Sequence, residues 1–389
     1  MIELFSHIYI ESAALDYPVT QRILSALPRA EVIPIRHYKD VFDRGGQDAA
    51  AQKAAPDLIL AVKRDTFLYD GSDNCQTFGA PKAYYAVPAM NCPFDCQYCF
   101  LKGMYPSANI VIFVNIGDCL NEIRERAKSG PAQISLSYET DLVAIEYLTG
   151  YVSAFASLAP EVPDLTLEIR TKATNFSFRD AHGDGSLMGT VLSSTKFHGI
   201  ENGDSRGSGV SLMGTVLSST KFHGIENGDS NGSGVSSERT VPVLPPGNLV
   251  FSFTLSPAGI ISRFEKKAPG LDARLAAVKA AQEAGFAVRL CFDPMILTPG
   301  WRQMYTEFFA RVREEVDFSR IRDVSIGTFR IPKDYLKAMR KNYGDSEISL
   351  FPYTLSDGTY TYGDAEEKLL KTALDGLLPV FPRERIFTD

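Results

Sequence analysis

The chain alternates short apolar runs with stretches in which apolar residues recur every three or four positions. Runs at 110–115, 133–137, 165–170, 249–254, 287–293 and 323–327 are short, apolar and rich in β formers, and predict strands. Between and after them, 118–127, 142–157, 271–284, 301–315 and 332–341 carry a helical period. A further apolar run, 84–88, precedes the first unit. Strands alternating with amphipathic helices imply βα units and a parallel sheet. Six or seven such units fit a full or partial (β/α) barrel better than a doubly wound open sheet, although the period is common to both. In either architecture, reactive groups gather at the C-terminal ends of the strands.

The two ends have a different rhythm. Strands are expected at 7–10, 31–35 and 58–63, a helix at 18–27, and irregular polar chain over 40–54. Residues 347–362 are rich in β formers around Ser356-Asp357-Gly358 and read as a hairpin, followed by a helix over 365–378. This divides the chain into an N-terminal α/β region (1–80), a barrel (81–345) and a C-terminal hairpin with helix (346–389).

One segment keeps neither period. SLMGTVLSSTKFHGIENGDSRGSGV, residues 186–210, recurs at 211–235 with Arg206 replaced by Asn231. Two near-identical, Gly- and Ser-rich copies do not make a solenoid. Residues 177–237 are expected to form a flexible excursion between two core strands. The repeated Lys196-Phe197-His198 and Lys221-Phe222-His223 then read as solvated loop rather than as a metal or phosphate site.

Composition adds limits. The chain has 389 residues, 44% hydrophobic and 22% charged, an ordinary globular balance. Its net charge of −7 provides no global attraction for nucleic acid, which leaves only a local basic surface for that purpose. The first residues lack a basic region followed by an apolar run, and no stretch approaches the roughly 20 apolar residues that span a bilayer. A soluble, cytoplasmic protein without a membrane partner is expected.

Six cysteines are too few for a disulfide scaffold, yet Cys92, Cys96 and Cys99 fall within eight residues. Their spacing, C-x-x-x-C-x-x-C, turns three thiolates toward one point and predicts a 4Fe–4S cluster with one iron free of protein ligands. S-adenosylmethionine would bind that iron and be cleaved reductively to a 5′-deoxyadenosyl radical. Structural zinc needs a fourth ligand, and no other Cys or His lies nearby. A redox pair of Cys96 and Cys99 would leave Cys92 idle.

The surrounding residues extend this reading. LDYPVTQRIL, YAVP before the cysteines, IVIFVNIGD, SYETDLVAIEYLTG, LEIRTKATN, FSFTLSP, LDARLAAVKAAQEAGF, DPMILTPGW and TYTYGDAEEKLL together resemble the spore photoproduct lyase family of the radical S-adenosylmethionine superfamily. The run D-x-x-A-I-E-x-L-T-G, Asp141 to Gly150, points to this family in particular. The resemblance implies a partial (β/α)6 barrel with a small N-terminal α/β region and a C-terminal β-hairpin. It places S-adenosylmethionine across the barrel mouth, touching Tyr98, Thr140, Lys172 and Ser252. It implies a DNA photoproduct or a related nucleotide as substrate, and a reductant such as flavodoxin or ferredoxin. Arg274, on a helix, is expected to be solvated.

Two departures bear on the reaction. The family's lyases return hydrogen from a cysteine at the position of Tyr138, and carry tyrosine at the position of Phe100. Tyr138 is one substitute donor, and Tyr98 lies in the same catalytic neighbourhood. Cys291 is another candidate, because it shares strand parity with Asp293, although a small buried residue is the simpler reading of it. The hairpin LFPYTLSDGTYTYGD keeps aromatics but has no Lys or Arg, whereas phosphate contacts supply most affinity for DNA. An alternative follows: a radical enzyme acting on another nucleotide or small molecule, or a catalytically silent binding protein.

Overall fold

The alternation of the sequence resolves into two main sheets in the computed structural model, which describes residues 5–71, 76–174 and 245–388. The tandem repeat and Cys75 lie outside those residues. Strands β1 (Ala83–Ala86), β2 (Ala132–Ser135), β3 (Leu165–Thr171), β4 (Leu249–Thr254), β5 (Ala287–Met295) and β6 (Ile321–Thr328) stand side by side in chain order, all parallel. Leu68–Asp70 adds antiparallel to β1 at one edge, and Ile386–Thr388 adds parallel to β6 at the other. The two edges are not paired, so the sheet is a curled, partial barrel.

A period of two sorts the side chains of these strands. Ile134, Leu167, Ile169, Phe251, Phe253, Leu290, Phe292, Val324 and Ile326 form the outward row and are all at most 1% exposed. The inward row is polar. Glu168 accepts hydrogen bonds from Ser135 and Ser252, each at 2.7 Å, and lies 3.2 Å from Arg289, which also pairs with Asp323. Burial alone would raise the Glu168 carboxyl, but Arg170, Arg289 and the two hydroxyls hold it down to about 2. Phe78 lays its ring 3.2 Å from the Arg289 guanidinium and meets Phe387 of the last strand edge-on at 5.3 Å.

Three expectations need correction. The run 110–115 does not enter the barrel. Its strand, Ile110–Phe113, pairs with Leu58–Ala61 in a second sheet, together with His7–Glu11, Glu31–Ile35 and Ala89–Met90. Its four residues are all buried, so periodicity could not say which sheet they join. The segment 40–54 is not wholly irregular, since Lys39–Phe42 and Ala49–Ala54 are helical. The single helix 142–157 is two, Leu142–Thr149 and Tyr151–Leu158.

Gly150 makes that break. It has φ of 70°, and a side-chain carbon there would lie 2.5 Å from Arg22 Nη1. Glu146 of the first helix accepts hydrogen bonds from the Val152 and Ser153 amides at 2.8 and 3.0 Å, capping the second.

The hairpin is shorter than expected, Thr354–Ser356 against Thr359–Thr361, turning at Asp357 and Gly358, both with positive φ. Phe329, Phe351, Tyr353 and Tyr362 pack on one another at its base. These aromatics are therefore the hairpin's own core.

Candidate functional site

The chain runs into its cysteine loop from Ala89–Met90, at the edge of the second sheet. Asn91 makes the turn with φ of 63°, and its amide donates to the carbonyls of Ser107 and Asn109 at 2.9 and 2.8 Å. Lys53 then holds the Cys92 carbonyl at 2.6 Å. Asp95–Cys96 pairs antiparallel with Glu265–Lys266. After Cys99 and Phe100 the short helix α1 (Leu101–Met104) begins, and its Lys102 reaches back to Asp95 at 2.6 Å. The loop is thus fixed on both flanks.

The three thiols are mutual electrostatic neighbours. Burial pushes Cys92 up to about 12 and Cys96 higher still, so without a metal both are neutral. Among the described residues, no three His, Cys, Asp or Glu side chains meet closely enough to hold a single ion. A cubane takes one thiolate at each of three separate irons, so this donor set suits a cluster better than zinc.

Lys172, just past the end of β3, stands beside that loop with its ammonium 5.5 Å from the Tyr98 ring centroid. Burial disfavours its charge, but the Glu265 carboxylate opposes burial and the net direction is upward, so it is a cation. Tyr98 is 6% exposed and donates its hydroxyl to Glu265. Glu265 also accepts from Ser256 at 3.1 Å and pairs with Arg274. Burial would raise this carboxyl; Lys172, Arg274 and Tyr98 lower it, and it stays ionised.

At the end of the loop that follows β2, Asp141 accepts from Thr171 Oγ1 at 2.8 Å and from the Lys172 amide at 2.8 Å, tying that loop to the end of β3. It also caps helix Leu142–Thr149 through the Ala144 amide. Thr140, beside it, is 6% exposed and its hydroxyl is buried with no hydrogen-bond partner among the described residues. An orphaned buried hydroxyl in a loop past the strand ends is what a bound polar ligand would satisfy. Three thiols, one cation and one spare hydroxyl therefore fit a cluster carrying an amino-acid cofactor.

Tyr138 lies between two rings, 4.5 Å from Tyr85 and 5.5 Å from Phe100. Tyr69 stacks on Tyr85 at 5.3 Å, extending the row. On the next residue, Glu139 is buried and accepts the Tyr105 hydroxyl.

Two sequence candidates lie elsewhere. Ser252 is fully buried with its hydroxyl engaged by Glu168 in the polar layer of the lumen. Cys291 is also fully buried, among Arg170, Glu168, Arg289 and Asp293 rather than the cysteine loop; burial raises its thiol to about 12. Arg274 is not solvated. It is 1% exposed and bonds Pro269 O, Thr254 O and Glu265. The signal for it was present, since Leu271, Arg274, Leu275 and Val278 follow one helical stripe. Glu265 and Lys53 were missed, and neither belongs to a recognisable run.

Comparison with known proteins agrees with this geometry. The family model described as spore photoproduct lyase matches residues 4–176 and 243–382. A spore photoproduct lyase from a Geobacillus species is 21% identical over 394 aligned residues, spanning 96% of this chain and 95% of its own length. Among solved structures, a spore photoproduct lyase complexed with dinucleoside spore photoproduct superposes with a TM-score of 0.70 at 17% identity, over 100% of this chain and 99% of that one. A doubly substituted spore photoproduct lyase with bound AdoMet and dinucleoside spore photoproduct gives 0.68 at 18%, over 99% and 98%. Those structures share the partial barrel. With the family model covering both halves of the barrel, the chain belongs to the spore photoproduct lyase family.

Proposed function

We propose that this chain is a radical S-adenosylmethionine enzyme of spore photoproduct lyase type, acting on a thymine photoproduct in DNA. The observation that carries it is the grouping of Cys92, Cys96 and Cys99 near Lys172 and Asp141, whose chain neighbour Thr140 carries the orphaned hydroxyl. When bound, a reduced 4Fe–4S cluster with S-adenosylmethionine supplies a 5′-deoxyadenosyl radical that abstracts hydrogen from substrate carbon.

The chain's own residues have separable tasks in this reading. The three thiolates hold the cluster. Lys172 pairs with the carboxylate of S-adenosylmethionine, and the Thr140 hydroxyl bonds one of its polar groups. Glu265, held by Arg274, fixes the Tyr98 ring against the loop. Tyr138 returns a hydrogen atom from its phenol to the product radical, in place of the cysteine of the relatives, and the phenoxyl radical left behind is restored by one electron from the donor protein and one proton. Electrons come from a small donor protein of flavodoxin or ferredoxin type.

Anaerobic reconstitution tests the first part: about four irons per chain, and 5′-deoxyadenosine on reduction with dithionite. A colourless chain holding zinc would refute it. Tyr138, Phe100 and the cation-free hairpin favour a second reading, the same radical start applied to another nucleotide. Turnover of a spore-photoproduct dinucleotide decides between them. Deoxyadenosine without recovered thymine selects the second.

A further inference from the structure

The surface over the cysteine loop is basic, although the whole chain carries −7. Three neighbouring elements build it. Helix α2 (Lys333–Tyr343) lies backbone to backbone on α1, leaving no room for a side-chain carbon at Gly103 against Tyr335. Its far end closes on the loop, where Lys102 Nζ is 4.4 Å from the Tyr343 ring centroid. Helix Ala49–Ala54 touches α2 and carries Lys53, which holds Cys92. Lys267 donates to the carbonyls of Lys53 and Ala54 at 2.7 and 2.8 Å, and Lys266 stands in register with Asp95.

Lys333, Lys337 and Lys341 recur at every fourth residue of α2, all exposed, with exposed Arg340 beside them. Lys266 and Lys267 are exposed as well. The acids of this face are few. Asp334 is the one acid of α2, Asp345 follows its end and Asp357 lies in the hairpin turn; Asp95 is bonded to Lys102, Asp48 caps Ala49–Ala54, and Glu347 beyond α2 is paired with Arg263.

We propose that this face docks an acidic one-electron donor protein of flavodoxin or ferredoxin type, close to the thiols that its electron must reach. The inference rests on the radical-enzyme reading above. One electron leaves the donor's reduced flavin or iron–sulfur centre for the cluster; no bond to this chain forms or breaks, and any proton change stays on the donor. Complementary charge would steer encounter and set orientation. Nucleic acid is the rival partner for a row of lysines. Lys333 abuts the hairpin turn, its amide donating to Gly358 O at 2.9 Å. A nucleic-acid surface would extend onto that hairpin, yet it carries no cation, and the positive charge instead continues behind the loop through Lys266 and Lys267.

The test compares wild-type chain with a K333E/K337E/K341E variant whose circular dichroism is unchanged. Calorimetric titration with purified oxidised flavodoxin at low and high salt should show salt-sensitive binding to wild type. The variant should bind about tenfold more weakly or worse. Dithionite-driven 5′-deoxyadenosine formation should be equal in the two, and flavodoxin-driven formation should fall in the variant. Equal flavodoxin affinity overturns the proposal. So does loss of lesion-oligonucleotide affinity with flavodoxin affinity intact, which assigns the face to nucleic acid. If wild type gives no deoxyadenosine with dithionite, the functional reading fails, and the titration still judges the surface by itself.

Discussion

Thr140 illustrates how much a single atom can say. Its hydroxyl is buried without a partner among the described residues, and such a group costs about 1 kcal/mol or more in the unliganded fold. Thr140→Val keeps the shape and removes that cost. The variant should match or exceed wild type by about 1 kcal/mol in urea unfolding, while losing most of the thermal shift that S-adenosylmethionine gives the reconstituted chain. A variant destabilised without ligand and unaffected in ligand binding would refute that role. Tyr138→Phe probes the other side of the reaction. Product yield should fall at least about tenfold, equivalent to 1.4 kcal/mol, with deoxyadenosine formation retained; unchanged yield would remove Tyr138 as donor. At this scale the sequence spoke through spacing. Three thiols within eight residues cannot be mistaken, and Lys172 and Thr140 came with the resemblance. Glu265 could not be read, because EKK looks like solvated surface until its strand pairs with Cys96. Phe78 could not either, since its partner Arg289 is more than two hundred residues away.

At the level of elements, the signature from Asp141 to Gly150 proves to be joinery. Asp141 fastens the loop after β2 to the end of β3, Glu146 caps the next helix, and Gly150 makes the bend between helices. Gly150→Ala should lose about 1–2 kcal/mol from the left-handed backbone alone, and more from the clash with Arg22, measurable as a lower unfolding midpoint. The barrel's polar layer depends on Glu168. Its carboxyl is depressed in the fold, so its stabilisation is present above the ordinary value of 4.5 and drains as pH falls toward about 2. Glu168→Gln leaves Arg289 with less compensation in the interior and should cost about 3 kcal/mol at neutral pH. Its unfolding free energy should also fall less steeply than wild type between those two pH values. Strand and helix positions were largely legible from period. The placement of Ile110–Phe113 was not, because a run buried on both faces fits either sheet equally well.

For the molecule as a whole, the family model matches up to residue 176 and resumes at 243, so it skips the tandem repeat. Strands β3 and β4 are parallel neighbours. With 177–237 deleted, residues 172–176 and 238–248 still join them, about sixteen residues against the dozen that a parallel crossover needs. Such a deletion should therefore leave iron content and the circular dichroism spectrum unchanged. Loss of either would mean that the repeat contributes to the core.

The two sheet edges, Leu68–Asp70 and Ile386–Thr388, share no ladder. Phe78, in the connection between Leu68–Asp70 and β1, meets Phe387 of the opposite edge in a ring contact, an interaction worth about 1 kcal/mol beyond its buried area. A closed barrel admits only what can be lowered through its rim. A wall with a lengthwise seam can accept a link from the middle of a long polymer, sideways and without a free end. On the photoproduct reading proposed above, entry through that seam would bring a lesion inside a long duplex and one in a dinucleotide by the same route, differing only in the cost of being turned out of the stack.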